Sequence, residues 1–236
     1  MCALIFDCDG VLVDTERDGH RVAFNKAFAD AGLEIEWSIA TYGQLLAVAG
    51  GMERMRHYFD EHGWPSGTED RIDFIKNLHA RKTDLFMRII ESGELPLRSG
   101  VARLMDEAIK ARVKLAVCST SNERAVHSVV EKMLGKNRYA AFDEILAGEV
   151  VSEKKPDPEI YHLALERLKV RAEDCVVIED SRNGLLAAKG AGMHCFVTPS
   201  AYTVDENFAE ADQVGSELGD PPGDCVSFDE LIRWTL

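Results

Sequence analysis

The chain has 236 residues, 46% of them hydrophobic, enough for one large domain or for a core domain carrying a smaller inserted one. Its formal charge of −14 opposes nucleic acid and anionic membranes at long range, and no apolar run approaches the ~20 residues that cross a bilayer. Neither nucleic acid nor a membrane is expected as a partner, a monomer is expected, and an anionic ligand would need cations gathered locally.

The first predicted strand is Ala3 to Phe6, with no basic-then-apolar leader before it. Roughly 80 residues without a strand signal follow, far longer than an ordinary connection, so an inserted helical domain is expected. Within it Ala23, Ala27, Phe28 and Ala31 share a helical face that stops at Gly32, and Gly50-Gly51 opens a further helix. Ile72, Ile75, Leu78, Leu85 and Ile89 mark a long last helix, with Ser66 and Glu69 as its capping box. The chain leaves the core at Asp14-Thr15 and returns over Leu95 to Ser99, which contains Pro96. The expected division is therefore residues 1–14 and 97–236 as core and 15–96 as cap, with two crossing segments that would permit hinge closure.

Beyond the insert, helices are predicted over Val101 to Ala111, Glu123 to Leu134, Pro158 to Leu168 and Arg182 to Ala191, the last stopped by Gly192. They alternate with strands Val113 to Cys118, Glu144 to Ala147, Cys175 to Ile178 and Cys195 to Thr198. This alternation predicts an α/β fold, a doubly wound parallel sheet with right-handed crossovers. The six cysteines show neither CxxC nor zinc-type spacing, and four lie in apolar strand-like runs, so they read as small hydrophobes in a reducing compartment.

Polar residues of consequence fall just after strands, where parallel sheets bind ligands. Phe6-Asp7-Cys8-Asp9-Gly10 follows the first strand, and two aspartates at this spacing in extended chain point to the same side. An ionised Asp7 can attack phosphorus directly, with Asp9 protonating the leaving alkoxide and then deprotonating water. A DxD by itself reads better as a turn or a cap; the apolar strand before it and Gly10 and Asp14-Thr15 after it favour chemistry. Glu179-Asp180 follows Cys175-Val176-Val177-Ile178 in the same manner, although Asp180 alone also reads as a helix cap. Four converging carboxylates require a hard cation, and magnesium suits an all-oxygen site. Ser119 ends a strand before a helix N-terminus, where its hydroxyl and nearby amides can hold phosphate oxygens or simply cap. Lys155, on the stiff segment before Pro156-Asp157-Pro158, would offset charge on phosphate and on Asp7.

In this order, FDCDG, strand-Ser119, Lys155-Pro156 and Glu179-Asp180 resemble the four motifs of haloacid-dehalogenase-like phosphatases with a helical cap inserted after the first. The resemblance spans essentially the whole chain. It implies Asp7 as nucleophile, Asp9 as acid/base, Ser119 and Lys155 as further catalytic groups, and Mg2+ held by Asp7, Asp9, Glu179 and Asp180. The true dehalogenases lack the second aspartate and need no metal, so Asp9 argues against dehalogenation.

A closer resemblance is to CbbY-like proteins of photosynthetic organisms, which dephosphorylate xylulose-1,5-bisphosphate, an inhibitor of Rubisco. It is carried by Asp14-Thr15-Glu16, Gly50-Gly51-Met52-Glu53-Arg54, His79-Ala80-Arg81-Lys82, Ser119-Thr120-Ser121-Asn122 and Lys154-Lys155-Pro156-Asp157-Pro158. The resemblance implies a small phosphorylated sugar as substrate, held by Asp7, Ser119, Thr120, Asn122 and Lys155 in the core and by Glu16, Gly51, Arg54, His79 and Lys82 in the cap; His20 is a further cap candidate. Two other outcomes fit the same motifs: a β-phosphoglucomutase-like transfer back to sugar, and an inactive binding protein. In a photosynthetic eukaryote the chloroplast stroma is the expected location, with a transit peptide lying outside this chain; in a bacterium it is the cytoplasm.

Overall fold

The computed structural model describes residues 2–48, 50–148 and 150–235. The chain divides into two compact units, Thr15–Ser92 on one hand and Met1–Asp14 with Gly93–Leu236 on the other.

The unit Thr15–Ser92 is helical. A π-helical turn, Thr15–His20, leads into α1 (Arg21–Asp30), followed by α2 (Ile39–Leu45), α3 (Gly51–His62) and the long α4 (Arg71–Ser92). Its core is aromatic, with Phe24, Phe28, Trp37, Tyr42 and Phe59 all fully buried. The Asn25 amide pairs with both the N–H and the carbonyl of Trp37, fixing the segment that enters α2 to α1. On α4 the buried stripe is Ile75, Leu78, Lys82, Phe86 and Ile90. The stripe expected through Ile72, Leu85 and Ile89 is thus rotated: Ile72 is 60% exposed, and a lysine occupies a core position. The Ser66/Glu69 capping box does not form the helix start. The Asp70 carboxylate instead accepts from Ile72 N and Asp73 N, each at 3.0 Å. Because α4 continues to Ser92, the division between units falls ahead of Leu95 and Pro96.

The other unit is built on one sheet of six parallel strands, β1 (Ala3–Phe6), β2 (Lys114–Ser119), β3 (Glu144–Ala147), β4 (Cys175–Glu179), β5 (His194–Val197) and β6 (Gln213–Val214), in the order β3-β2-β1-β4-β5-β6. Strand β1 lies between β2 and β4, and all four of its residues are buried, which is why it reads as an unbroken apolar run. The helices are α5 (Val101–Ala111), α6 (Glu123–Tyr139), α7 (Glu159–Leu168), α8 (Arg182–Gly190) and the short α9 (Phe228–Ile232). One face of the sheet packs Ile5, Ala116, Cys118, Val177 and Cys195 against Ile160, Tyr161, Ala164 and Leu185 of α7 and α8. By strand alternation Leu4, Phe6, Leu115, Val117, Val176 and Ile178 point the other way, and they are equally buried. Helix α6 breaks at Gly135 (φ 78°), one residue past its expected end, and then resumes to Tyr139. All six cysteines are free, and Cys8, Cys118, Cys175 and Cys195 are buried. Burial pushes the Cys118 and Cys175 thiols up to about 12, which keeps them protonated and unreactive.

Candidate active site

The parallel register brings the ends of β1, β2 and β4 together. Phe6 pairs with Val117 and with Ile178, and Asp7 N donates to Ile178 O at 3.0 Å, so the first aspartate still belongs to the ladder. The chain then turns, with Leu12 N on Cys8 O and Gly10 N on Val13 O. Gly10 (φ 89°) passes so close to Asp180 that a Cβ there would fall 2.1 Å from Oδ2; only glycine permits this approach of the first and fourth motifs.

Lys155 is the hub. Its ammonium donates to Asp7 Oδ1 at 2.7 Å, Glu179 Oε1 at 2.7 Å and Cys118 O at 2.8 Å. The lysine side chain is 7% exposed and that of Glu179 1%. Burial pushes this ammonium down, but the charges of Asp7 and Glu179 outweigh it and hold Lys155 above the ordinary lysine value. A fully buried tyrosine, Tyr161 in the first turn of α7, donates to the same Glu179 Oε1 at 2.5 Å. Glu179 lies hard against helix α8, where a Cβ on Gly184 would sit 1.9 Å from its carboxyl carbon.

Asp7, Glu179 and Asp180 each place a carboxylate oxygen within 4.8 Å of the others. Burial, then repulsion from Glu179, pushes Asp180 up to about 7. Burial also raises Asp7 well above the usual aspartate range, Lys155 opposes the rise, and Glu179, Asp180 and Asp9 add to it. Asp7 is therefore harder to ionise than the sequence suggests, with burial outweighing the Lys155 ammonium beside it. Three oxygen donors crowded at this cost, only two of them bonded to the Lys155 ammonium, fit a hard divalent cation.

Asp9 departs from the expected metal set at its side chain, which is not in that trio. Ser121 Oγ donates to its Oδ2 at 2.5 Å and Ser119 Oγ at 3.4 Å, because the chain has left the extended strand before Asp9. Both aspartates still line one cavity of about 190 Å3, together with Ser119, Thr120, Lys155 and Asp180. Ser121, Ser181 and Asn183 line it too and were not anticipated. Asn122 is not on the wall; it caps α6 by accepting from Ala125 N. With Asn122 as that cap and Ser181 as the cap of α8, accepting from Gly184 N, capping explains neither Ser119 nor Asp180.

The helical unit gathers its own polar group. Tyr42 donates to Glu16 Oε2 at 2.6 Å and accepts from Arg54 Nη1 at 2.9 Å, while Arg54 also donates to the carbonyls of Leu45 and Val48. Arg54 is thus tied to α2 and the segment after it. Lys82 donates to His20 Nδ1 at 2.8 Å, which makes His20 a neutral acceptor, and it lies over the rings of Phe24 and Phe86. Burial and then Arg54 pull Lys82 down to about 8, with Glu16 opposing. Burial, then Lys82, lowers His20 well below the ordinary histidine value. His79 Nε2 lies beside the α carbon of Gly51. Tyr42 carried no signal, being one aromatic residue among many.

The family profile described as haloacid dehalogenase-like hydrolase matches residues 1–192, which include every motif of the core site. The chain belongs to the haloacid dehalogenase-like hydrolase family. As a haloacid dehalogenase-like hydrolase it is an enzyme, a phosphatase similar to CbbY proteins. The CBBY-like protein of Arabidopsis thaliana is 54% identical over 224 residues, covering 93% of this chain and 70% of that protein. Protein CbbY of Cereibacter sphaeroides is 42% identical over 213 residues, 90% of each. A crystal structure of a CbbY mutant from Rhodobacter sphaeroides in complex with xylulose-(1,5)bisphosphate matches with a TM-score of 0.75 at 39% identity, covering 98% of this chain and 99% of that one. The parallel α/β fold is shared with that CbbY structure. Among the described residues no helix is long and apolar enough to cross a membrane.

Proposed function

We propose that the enzyme is a magnesium-dependent sugar-bisphosphate phosphatase that converts xylulose-1,5-bisphosphate to xylulose 5-phosphate by way of an aspartyl phosphate on Asp7. The observation that carries the substrate is the match over nearly the whole chain to the CbbY structure holding that bisphosphate. Asp7 is the nucleophile: a carboxylate oxygen bonds to phosphorus as the bond from phosphorus to the sugar oxygen breaks. Asp9, oriented by Ser121 and Ser119, gives its proton to the departing sugar oxygen and takes one back from the water that cleaves the acyl phosphate. The net change is ester plus water to alcohol plus phosphate. Lys155, bonded to Asp7, and Ser119 and Thr120, on the cavity wall, hold phosphate oxygens ahead of α6. Asp7, Glu179 and Asp180 would hold Mg2+, which when bound neutralises the negative charge that an incoming phosphate must meet. In the helical unit, Lys82 is a buried ammonium whose described hydrogen bond goes to a neutral imidazole, which suits it to an anionic group such as a phosphate.

The test is phosphate release from xylulose-1,5-bisphosphate and from sugar monophosphates, with magnesium and with chelator, alongside a search for isomerised hexose phosphate. Release from the bisphosphate is expected to need magnesium and to fall about a thousandfold or more in Asp7→Asn. Full activity in that variant would remove covalent catalysis, and isomerised hexose phosphate without free phosphate would assign the enzyme to the mutases.

A further inference from the structure

The Lys155 hub contains a residue that neither the motifs nor the reaction accounts for. Glu179 is fully buried, so its charge must be met by hydrogen bonds and by the cation it would share with Asp7 and Asp180, not by water. Its Oε1 receives two donors, Lys155 Nζ at 2.7 Å and Tyr161 Oη at 2.5 Å. Lys155 has three ammonium protons and three acceptors, Asp7 Oδ1, Glu179 Oε1 and Cys118 O. The Tyr161 ring lies beneath the ammonium at 5.1 Å, so the same side chain touches both members of the Lys155–Glu179 pair. Lys155 thus stands between two carboxylates that compete for it, and the phenol bears part of the load on one of them.

We infer that Tyr161 is a positioning residue for the phosphorylation step: its hydroxyl satisfies Glu179 so that Lys155 stays on Asp7 rather than being drawn away. This rests on the reading of Asp7 as nucleophile. Without the hydroxyl, Glu179 Oε1 has only Lys155 as a donor at this distance, and the ammonium moves toward Glu179 at the expense of Asp7. A displacement of about 1 Å at a reacting group can cost on the order of a hundredfold in rate.

Tyr161→Phe removes the hydroxyl and keeps the ring, its packing and its contact with Lys155. The variant is compared with wild type in magnesium on xylulose-1,5-bisphosphate and on p-nitrophenyl phosphate, a minimal ester that needs no sugar recognition. Thermal unfolding and single-turnover formation of acyl phosphate are followed in parallel. The expected result is a kcat lower by about 10- to 100-fold on both esters, a slowed phosphorylation phase, KM within about threefold of wild type, and little change in melting temperature. A lowered melting temperature with unchanged kcat and phosphorylation rate would make Tyr161 merely structural and overturn the inference; so would a variant identical to wild type. Wild type active on p-nitrophenyl phosphate but inert on the bisphosphate would instead sink the substrate reading and leave the Tyr161 comparison decidable on the simple ester. Wild type inert on both would overturn the two together.

Discussion

A single α carbon can decide whether a carboxylate reaches its place. Glu179 is clamped by Lys155 and Tyr161 on Oε1 and receives Asp180 N at 3.2 Å on Oε2, so it cannot swing aside. Gly184 meets it from α8, and a methyl group there would overlap both carboxylate oxygens, at 1.9 and 2.1 Å. Gly184→Ala is therefore expected to destabilise the protein by about 1–3 kcal/mol, the usual cost of overpacking. It should also lower kcat by at least about tenfold, because relief comes only by shifting Glu179 and with it Lys155. Denaturant unfolding and phosphate release on the same preparation check this; normal activity in a destabilised variant would show that Lys155 does not depend on where Glu179 sits.

Among the elements, those buried on both sides were legible and those defined by a local contact were not. Strands β1 to β5 are apolar runs with turn signals at their ends, and the sequence places them to within a residue or two. The two-residue edge strand β6 (Gln213–Val214) is half polar and has no periodicity to betray it. Helix α2 was missed although Ser38 caps it by accepting from Thr41 N; with seven residues its apolar pattern is too short. In α4 the apolar pattern runs through Leu85 and Ile89 because Lys82, at the true core position, does not look like core. The same blindness hid Tyr42 and Tyr161, which are buried and aromatic like many core residues, whereas Asp7, Asp9, Ser119, Lys155, Glu179 and Asp180 announced themselves as polar groups at strand ends. The start of α4 offers a test of local capping. Asp70→Ala should cost about 1 kcal/mol, since two backbone N–H groups lose their acceptor, and Ser66→Ala should stay within about 0.5 kcal/mol. Thermal melts by circular dichroism distinguish the two, and equal losses would restore the capping box.

For the molecule as a whole, the proposed cation, protons and stability would be linked through Asp7 and Asp180. Asp180 is raised from 3.8 to about 7 by burial first and by Glu179 second. A carboxyl whose folded pKa exceeds its unfolded one lends stability while it is protonated; that contribution is complete below about pH 4 and is lost as pH rises through about 7. At about 1.4 kcal/mol per pH unit, the metal-free protein gives up on the order of 4 kcal/mol across this window from Asp180 alone. Asp7 is raised for the same leading reason and acts in the same direction. A divalent cation held there would replace the protons and meet the charge that rising pH uncovers, so it would bind more tightly and stabilise more as pH increases. Melting temperature measured with excess magnesium and with chelator should therefore differ little near pH 5 and diverge steadily towards pH 8. A gap that is constant across this range would mean that the cation does not compete with protons for Asp7 and Asp180, and that it is held elsewhere in the chain.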